Sequence, residues 1–283
     1  MWVNAATAGV VAAAVCAFLA VRQAPWWMFL GVFALFAVWM PFGLRRYLRR
    51  MRAGDEPPVA VRAVLEQQVR FYQRLDGDGQ ARFRREVHWF LSEQRLVGVR
   101  TEVTDEVRAL VAASAVILTF GRPRHEWSTT RDILIYPTAF EAGSYEMGGK
   151  NARVAGQVGA QGPVIFAEDQ LKAGFHRSKD GHNVGLHEFA HVLDFEDGYF
   201  DGMPANVHWE ALRPWVDEMT AELRRKDAPR SRRLLRDYGY TNEAEFFACA
   251  TELYFERPDA IRRKSPELYD ALAGYYGEDL LPP

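Results

Sequence analysis

The stretch Gly185-Leu186-His187-Glu188-Phe189-Ala190-His191-Val192-Leu193-Asp194 decides the fold class that the sequence predicts. On a helix, His187 and His191 lie one turn apart on the same face, so both imidazoles can reach one metal ion. Glu188 leans over the same side of that helix. The spacing is the His-Glu-x-x-His pattern of zinc peptidases, in which the glutamate serves as the general base.

The predicted motif helix runs from about Val184 to Phe195, because Asn183 precedes it and Gly198 closes the segment that follows. Asp194 lies three residues beyond His191 and falls on the face of the two histidines. There it can accept a hydrogen bond from the imidazole of a metal ligand and fix the tautomer of that ring. The other interpretation is an ordinary carboxylate at the end of a helix.

A catalytic zinc ion normally takes three protein ligands and leaves one position for water. One class of these enzymes continues the motif with a glycine and a third histidine, but aspartates such as Asp197 occupy those places. The other class uses a glutamate from a later helix. A buried helix is predicted within 240–255, and it carries Glu245 and Glu252 on one face. Either can be the third ligand; Glu245 can instead form a capping box with Asn242, and Glu252 can pair with an arginine.

The amino-acid composition limits which partners and which metal ligands we expect. The chain has 283 residues, enough for one large domain or two small ones, and its formal net charge of -2 gives no reason to expect nucleic acid as a partner. Cys16 and Cys249 are the only cysteines, which excludes a disulfide framework or a multi-thiolate zinc site and fits a reducing compartment. We therefore expect nitrogen and oxygen ligands for any metal.

The first 52 residues differ in kind from the rest and predict a membrane anchor. Two apolar runs, 3–21 and 26–44, are interrupted by Arg22-Gln23-Ala24-Pro25, which indicates a hairpin of two membrane helices. By the positive-inside rule, the arginines that follow place the downstream domain in the cytoplasm, at the cell inner membrane: Arg45, Arg46, Arg49, Arg50 and Arg52. A cleaved signal peptide, or one span with an interfacial helix, are the alternatives.

Residues 53–58 form the predicted linker, and 59–283 the predicted peptidase domain, with a helical part (59–120) and a catalytic part (121–283). Apolar residues recur at helical spacing on both sides of a predicted turn at Asp76-Gly77-Asp78-Gly79. Thr104 is the expected cap of a buried helix over Val107 to Phe120. The fold class is therefore α+β, mostly helical with a small sheet, preceded by the membrane hairpin.

Two strands are predicted in the catalytic part, Ile133 to Tyr136 and Val164 to Ala167, with a glycine-rich segment (143–162) between them. The second strand comes shortly before the motif helix. It can offer a free edge to which a peptide substrate adds as one more strand, or it can lie inside the sheet with no free edge.

The motif residues His187 to Asp194, followed by Asp237-Tyr238 and by Glu243-Ala244-Glu245-Phe246-Phe247-Ala248, resemble the Mlc titration factor A family of zinc peptidases. The catalytic core of that family resembles the protease domain of anthrax lethal factor. The resemblance implies a zincin-like domain, one zinc ion, and these residue roles: ligands His187, His191 and Glu245, general base Glu188, catalytic Tyr238, and a supporting Glu252. Without the family spacing, Tyr240 is an equal alternative to Tyr238. The membrane anchor departs from the family pattern.

The sequence therefore predicts a membrane-anchored zinc peptidase that acts on a peptide or protein substrate. An alternative is a membrane-tethered binding protein that sequesters a cytoplasmic partner, such as a transcription repressor. Glu188 favours the enzyme, because a purely structural metal site has no use for a base at that position.

Overall fold

The computed structural model describes residues 54, 56–122, 125, 127, 132–138, 140–141, 153–154, 156–158, 162–177, 180–203 and 209–277. Internal contacts divide the chain into two units, Met1–Asp55 and Glu56–Pro283. The predicted membrane helices 3–21 and 26–44 lie outside the described residues. Within the described ranges, none of the helices is long and apolar enough to cross a membrane.

Helices dominate the second unit. Their bounds are α1 (Val59–Gln68), α2 (Arg70–Arg74), α3 (Gly77–Glu93), α4 (Asp105–Thr119), α5 (Glu168–His176), α6 (Val184–Asp194), α7 (Trp209–Leu223), α8 (Glu243–Glu256), α9 (Pro258–Lys264) and α10 (Pro266–Tyr276). Short 3-10 helices cover Phe195–Asp197, Arg230–Arg232 and Asp237–Tyr240. The strands are β1 (Leu96–Gly98), β2 (Ile133–Tyr136), β3 (Phe140–Glu141), β4 (Arg153–Val154), β5 (Gly156–Val158) and β6 (Val164–Ala167). The predicted α+β class, mostly helical with a small sheet, is confirmed.

The main sheet has the strand order β1-β2-β6-β5. The first three strands run parallel, and β5 pairs antiparallel with β6. Strand β6 therefore lies between two neighbours, so of the two alternatives for Val164 to Ala167 the structure has the interior strand. Among the described strands, the edge position belongs to β5, which comes from the glycine-rich segment and carries too little apolar alternation to be predicted as a strand.

The predicted turn at Asp76-Gly77-Asp78-Gly79 is wrong in part, because Gly77 to Gly79 already belong to a helix. The Asp76 side chain accepts a hydrogen bond from the Gly79 N–H at 2.7 Å, and α3 begins at Gly77. The aspartate acts as a helix N-cap, which outweighs the low helix propensity of two glycines in the first turn.

Helix α4 is the buried support of the domain. The Thr104 hydroxyl accepts a hydrogen bond from the Val107 N–H at 3.3 Å, and nearly every side chain from there to Thr119 is buried. Helices α1, α3, α5 and α6 all pack against it. A Cβ atom at Gly185 would lie 2.0 Å from Ser114 Oγ, so only glycine lets α6 approach α4 this closely.

Two asparagines set where the helices of the candidate site begin. The Asn183 side chain accepts a hydrogen bond from the Leu186 N–H at 3.2 Å at the start of α6. The Asn242 side chain accepts one from the Glu245 N–H at 2.9 Å at the start of α8. Helix α8 packs directly on α6, so the first turn of α8 faces the motif helix.

Candidate metal centre

Three side chains from α6 and α8 converge at one point. The Nε2 atoms of His187 and His191 are 3.2 Å apart. Glu245 Oε2 lies 3.1 Å from His187 Nε2 and 3.5 Å from His191 Nε2. Both histidines are buried, and the Glu245 side chain is 15% exposed. The structure thus brings together the two histidines and one of the two candidate glutamates.

The spacing of these atoms fits a bound divalent metal. Zinc ligands at about 2.0–2.1 Å in tetrahedral geometry lie roughly 3.3 Å from one another. The three separations between the candidate ligand atoms, 3.1, 3.2 and 3.5 Å, lie on both sides of that value. In addition, Glu245 Oε2 is buried and has no hydrogen-bond partner of good geometry among the described residues. A metal ion would satisfy this atom and the two imidazoles at once.

A second group of possible ligand atoms lies on the opposite side of His187, formed with Cys249 and Glu252. Its geometry is less suited to a cation. His187 Nδ1 is 2.7 Å from Glu252 Oε1, and Arg236 Nη2 donates to the same oxygen at 2.5 Å. Arg236 Nε also lies 3.1 Å from Cys249 Sγ. The fixed guanidinium would repel a metal on this side, so the Nε2 side is the candidate centre.

Glu252 fixes the orientation of the His187 ring. Besides His187 and Arg236, it accepts a hydrogen bond from the Asn183 N–H at 2.7 Å. A donor bond from Nδ1 to a carboxylate leaves the Nε2 lone pair for a metal and raises the basicity of the ligand. Glu252 therefore makes both contacts that the sequence offered as alternatives: it contacts the predicted ligand His187, and it pairs with an arginine, Arg236.

The titratable groups of the centre have pKa values shifted in different directions. Burial works against a charged His187, but Glu252, Cys249 and Glu245 outweigh it and raise the pKa of this imidazole well above its usual value. Burial also acts against a charged Glu245, yet its contacts with His187 and His191 lower the pKa of the carboxyl. Burial lowers the pKa of His191, so an ionised Glu245 and a neutral His191 are favoured where the ligand atoms meet, which are the forms that bind a metal.

Glu188 follows His187 on α6 and is buried, with 4% of its surface exposed. Burial raises its pKa to about 8, and the neighbouring carboxylates Glu245 and Glu252 act in the same direction, whereas His187 and Arg236 oppose them. A carboxyl group with a pKa near the working pH can both take and return a proton.

The two candidate tyrosines have different surroundings. Tyr238, on the 3-10 helix before α8, donates a hydrogen bond from its hydroxyl to Glu245 Oε1 at 2.9 Å, and its ring centroid lies 5.8 Å from that of His187. Tyr240 points elsewhere, because its hydroxyl donates to Glu222 Oε2 at 3.0 Å and accepts from two backbone N–H groups. Tyr238, half exposed, is therefore the tyrosine at the centre.

Asp194 is fully buried at the end of α6, and burial raises its pKa to about 7. Its carboxylate faces the backbone N–H groups of Gly202 and Met203. Within the described ranges, no hydrogen bond joins it to an imidazole, and His191 Nδ1 has no hydrogen-bond partner. The expected bond from a ligand imidazole to Asp194 is therefore not seen, and Glu252 makes the equivalent bond to His187.

Sequence reasoning missed two residues beside the centre. Arg236 belongs to no motif, and the only signal for it in the sequence is the need of a buried Glu252 for a cation. Phe200 stacks on Phe195 with centroids 4.7 Å apart, and its ring lies 6.2 Å from that of His191. It is 38% exposed and Tyr199 is 70% exposed, so the loop after α6 presents an aromatic surface next to the centre.

Substitution of Glu245 and substitution of Glu252 should affect metal binding differently. Glu245→Ala removes a ligand atom, so the protein should lose bound metal after dialysis. Glu252→Ala leaves all three ligand atoms in place and should weaken metal affinity by about 10–100-fold, so metal is retained when supplied in excess. Metal content is measured by elemental analysis, with the exposed Glu243→Ala in the same helical turn as the control. Equal metal content in the Glu245 and Glu252 variants would refute the assignment.

Comparisons with known proteins identify a family and several relatives. The sequence matches the family described as glucose-regulated metallo-peptidase M90 over residues 44–277. An uncharacterized protein of Synechocystis is 30% identical over 225 residues, which cover 76% of this chain and 82% of the relative. Mlc titration factor A of Cronobacter sakazakii is 28% identical over 68% of this chain and 76% of its own, and that of Enterobacter is 27% identical over 72% and 81%.

The family match covers well over half of the chain and contains all of the residues that meet at the centre. The predicted resemblance to Mlc titration factor A is confirmed by these relatives. The chain belongs to the glucose-regulated metallo-peptidase M90 family.

Proposed function

We propose that the protein is a zinc-dependent peptidase with a zincin-like catalytic domain, in which His187, His191 and Glu245 hold the metal. The observation that carries the proposal is the approach of the three ligand atoms to within 3.1–3.5 Å of one another, next to buried Glu188, in a chain of a metallopeptidase family. When bound, zinc supplies a water of lowered pKa, near 7, and polarises the scissile carbonyl.

Glu188 is the proton carrier of the proposed reaction. Its carboxylate accepts a proton from the attacking water and passes it to the nitrogen of the departing amine, so that no net proton is gained or lost. Burial raises the pKa of Glu188, which makes its carboxylate a stronger base than an exposed one, and a bound metal ion would act in the opposite direction and favour the ionised form. Position and basicity both support this role.

Tyr238 is the proposed donor to the oxyanion that forms on the scissile carbonyl. Burial and the neighbouring Glu245 raise its pKa, so the phenol keeps its proton at neutral pH. The hydroxyl already points into the centre, where it donates to Glu245 Oε1. One such donor typically contributes about 3 kcal/mol to transition-state stabilisation.

The arrangement of sheet and helix suggests how a peptide is held. Strand β5 packs against α6, and among the described strands only β6 pairs with it. An extended peptide can add to the open edge of β5 by backbone hydrogen bonds and so pass over the centre. The exposed rings of Tyr199 and Phe200 would then contact an apolar side chain of the substrate.

Glu188→Gln tests the peptidase. The variant should keep its metal, because the ligand atoms are unchanged, and it should lose cleavage of a peptide library by a factor of about 10²–10⁴ or more. Cleavage by the wild-type chain should disappear on chelation and return with zinc. The control is Glu243→Gln, an exposed substitution on α8 that should retain full activity. Full activity of Glu188→Gln would sink the proposed mechanism.

A second proposed function is sequestration of a regulatory protein, because curated relatives of this chain carry the name Mlc titration factor A. A binding role needs no base, so Glu188→Gln would leave it intact. Failure of the zinc-loaded wild-type chain to cleave any peptide of a broad library would favour this function over the peptidase.

We further propose that residues 1–52 anchor the protein in the inner membrane as a hairpin of the runs 3–21 and 26–44. The linker 53–58 then leads to the peptidase domain 59–283, with its helical part 59–120 and catalytic part 121–283, on the cytoplasmic side. The apolar runs and the five arginines after them support this topology.

The anchor is tested by membrane fractionation with an alkaline carbonate wash. The 283-residue chain should stay in the membrane pellet, and deletion of residues 1–52 should move the protein to the soluble fraction. Release of the undeleted chain by carbonate would contradict the anchor. A periplasmic signal from a reporter fused to the C-terminus would contradict the cytoplasmic placement.

A further inference from the structure

A basic pocket lies on the Nδ1 side of His187, behind the candidate metal centre. It is a cavity of about 200 Å³ between the segment before α6, the chain from Arg230 to Arg236, the end of α8, and α9. Five cationic side chains line it: Arg230, Arg233, Arg236, Arg257 and Lys264. Asp180 is the acidic residue of its lining.

The positive charges of the basic pocket are only partly neutralised. Asp237 is shared by two arginines, at 2.7 Å from Arg230 and 2.8 Å from Arg233. In the described part of the chain, neither Arg257 nor Lys264 has a carboxylate within ion-pair distance. Clustered cations repel one another, so a bound anion would stabilise this arrangement.

We propose that the basic pocket binds a compact anion of the phosphate type, for which inorganic phosphate is the probe. Guanidinium groups present several N–H donors in a planar fork that matches phosphate oxygens, and four of the five cations are arginines. The volume is below the range of about 300–1,000 Å³ typical of pockets for drug-sized ligands, which favours a small ligand over a peptide chain.

Arg236 connects the basic pocket to the metal centre. It lines the pocket, donates to Glu252 Oε1 at 2.5 Å, and places Nη2 3.3 Å from His187 Nδ1. An anion that attracts this guanidinium weakens its hold on Glu252, and with it the orientation of His187. Anion and metal should therefore change each other's affinity by the same factor. This coupling rests on the proposed metal centre, whereas anion binding does not.

Calorimetric titration of the 283-residue chain with inorganic phosphate, at constant ionic strength in chloride, tests the binding. We expect saturable binding to one site, both in the zinc-loaded protein and after chelation. The double variant R257Q/K264Q should bind phosphate at least tenfold more weakly. R263Q, an exposed change on α9 outside the pocket, is the matched control and should bind as the wild type does.

Three results would overturn the binding proposal: no saturable phosphate binding, binding that disappears on chelation and so belongs to the metal, or equal affinity in R257Q/K264Q. The coupling has its own readout, the zinc affinity measured by competition with a chelator. Phosphate should change this affinity in the wild type and not in R257Q/K264Q. The same zinc affinity with and without phosphate in the wild type would overturn the coupling while leaving the binding result intact.

Discussion

The buried carboxylate of Glu252 is the interaction on which the candidate centre depends. It lies between α6 and α8 with 1% of its surface exposed, where an ionised group without partners would be strongly destabilising. Three donors surround it: the Asn183 N–H, His187 Nδ1 and Arg236 Nη2. One side chain thereby ties together the start of the motif helix, a predicted metal ligand and the chain segment that leads to Tyr238.

The backbone places the candidate ligands with few degrees of freedom. Asn183 and Asn242 determine the first residues of α6 and α8, so His187 and Glu245 each follow at a fixed number of residues from a cap. Beneath them, the close contact at Gly185 holds α6 against the buried helix α4. Rigid support of this kind keeps ligand atoms at the separations that a metal requires.

Local patterns explain which parts of the site could be predicted from the sequence. His187 and His191 share one helix, so their spacing alone brings their rings together. Glu245 and Glu252 also share one helical face, and helical periodicity cannot tell which of them is placed to act as a ligand. The distances between α6 and α8 make the difference, since Glu245 reaches the Nε2 side and Glu252 the Nδ1 side of His187.

Features that depend on distant partners are the ones that the sequence leaves open or does not reveal. The pairing of β6 on both sides depends on β5, which has no strand pattern of its own. Tyr238 and Tyr240 are two residues apart, and only the contact of Tyr240 with Glu222 shows that it serves the core. Arg236 contacts Glu252 and His187, which lie 16 and 49 positions away in the sequence. Such contacts leave little trace in composition or periodicity.

The central claim is that a metal ion is held by two imidazole nitrogens and the carboxylate of Glu245, on the side of His187 that faces away from Cys249. X-ray absorption at the metal edge of the zinc-loaded chain tests this most directly. The account predicts only nitrogen and oxygen neighbours at about 2.0–2.1 Å. A sulfur neighbour at about 2.3 Å would show that Cys249 is a ligand and would contradict it.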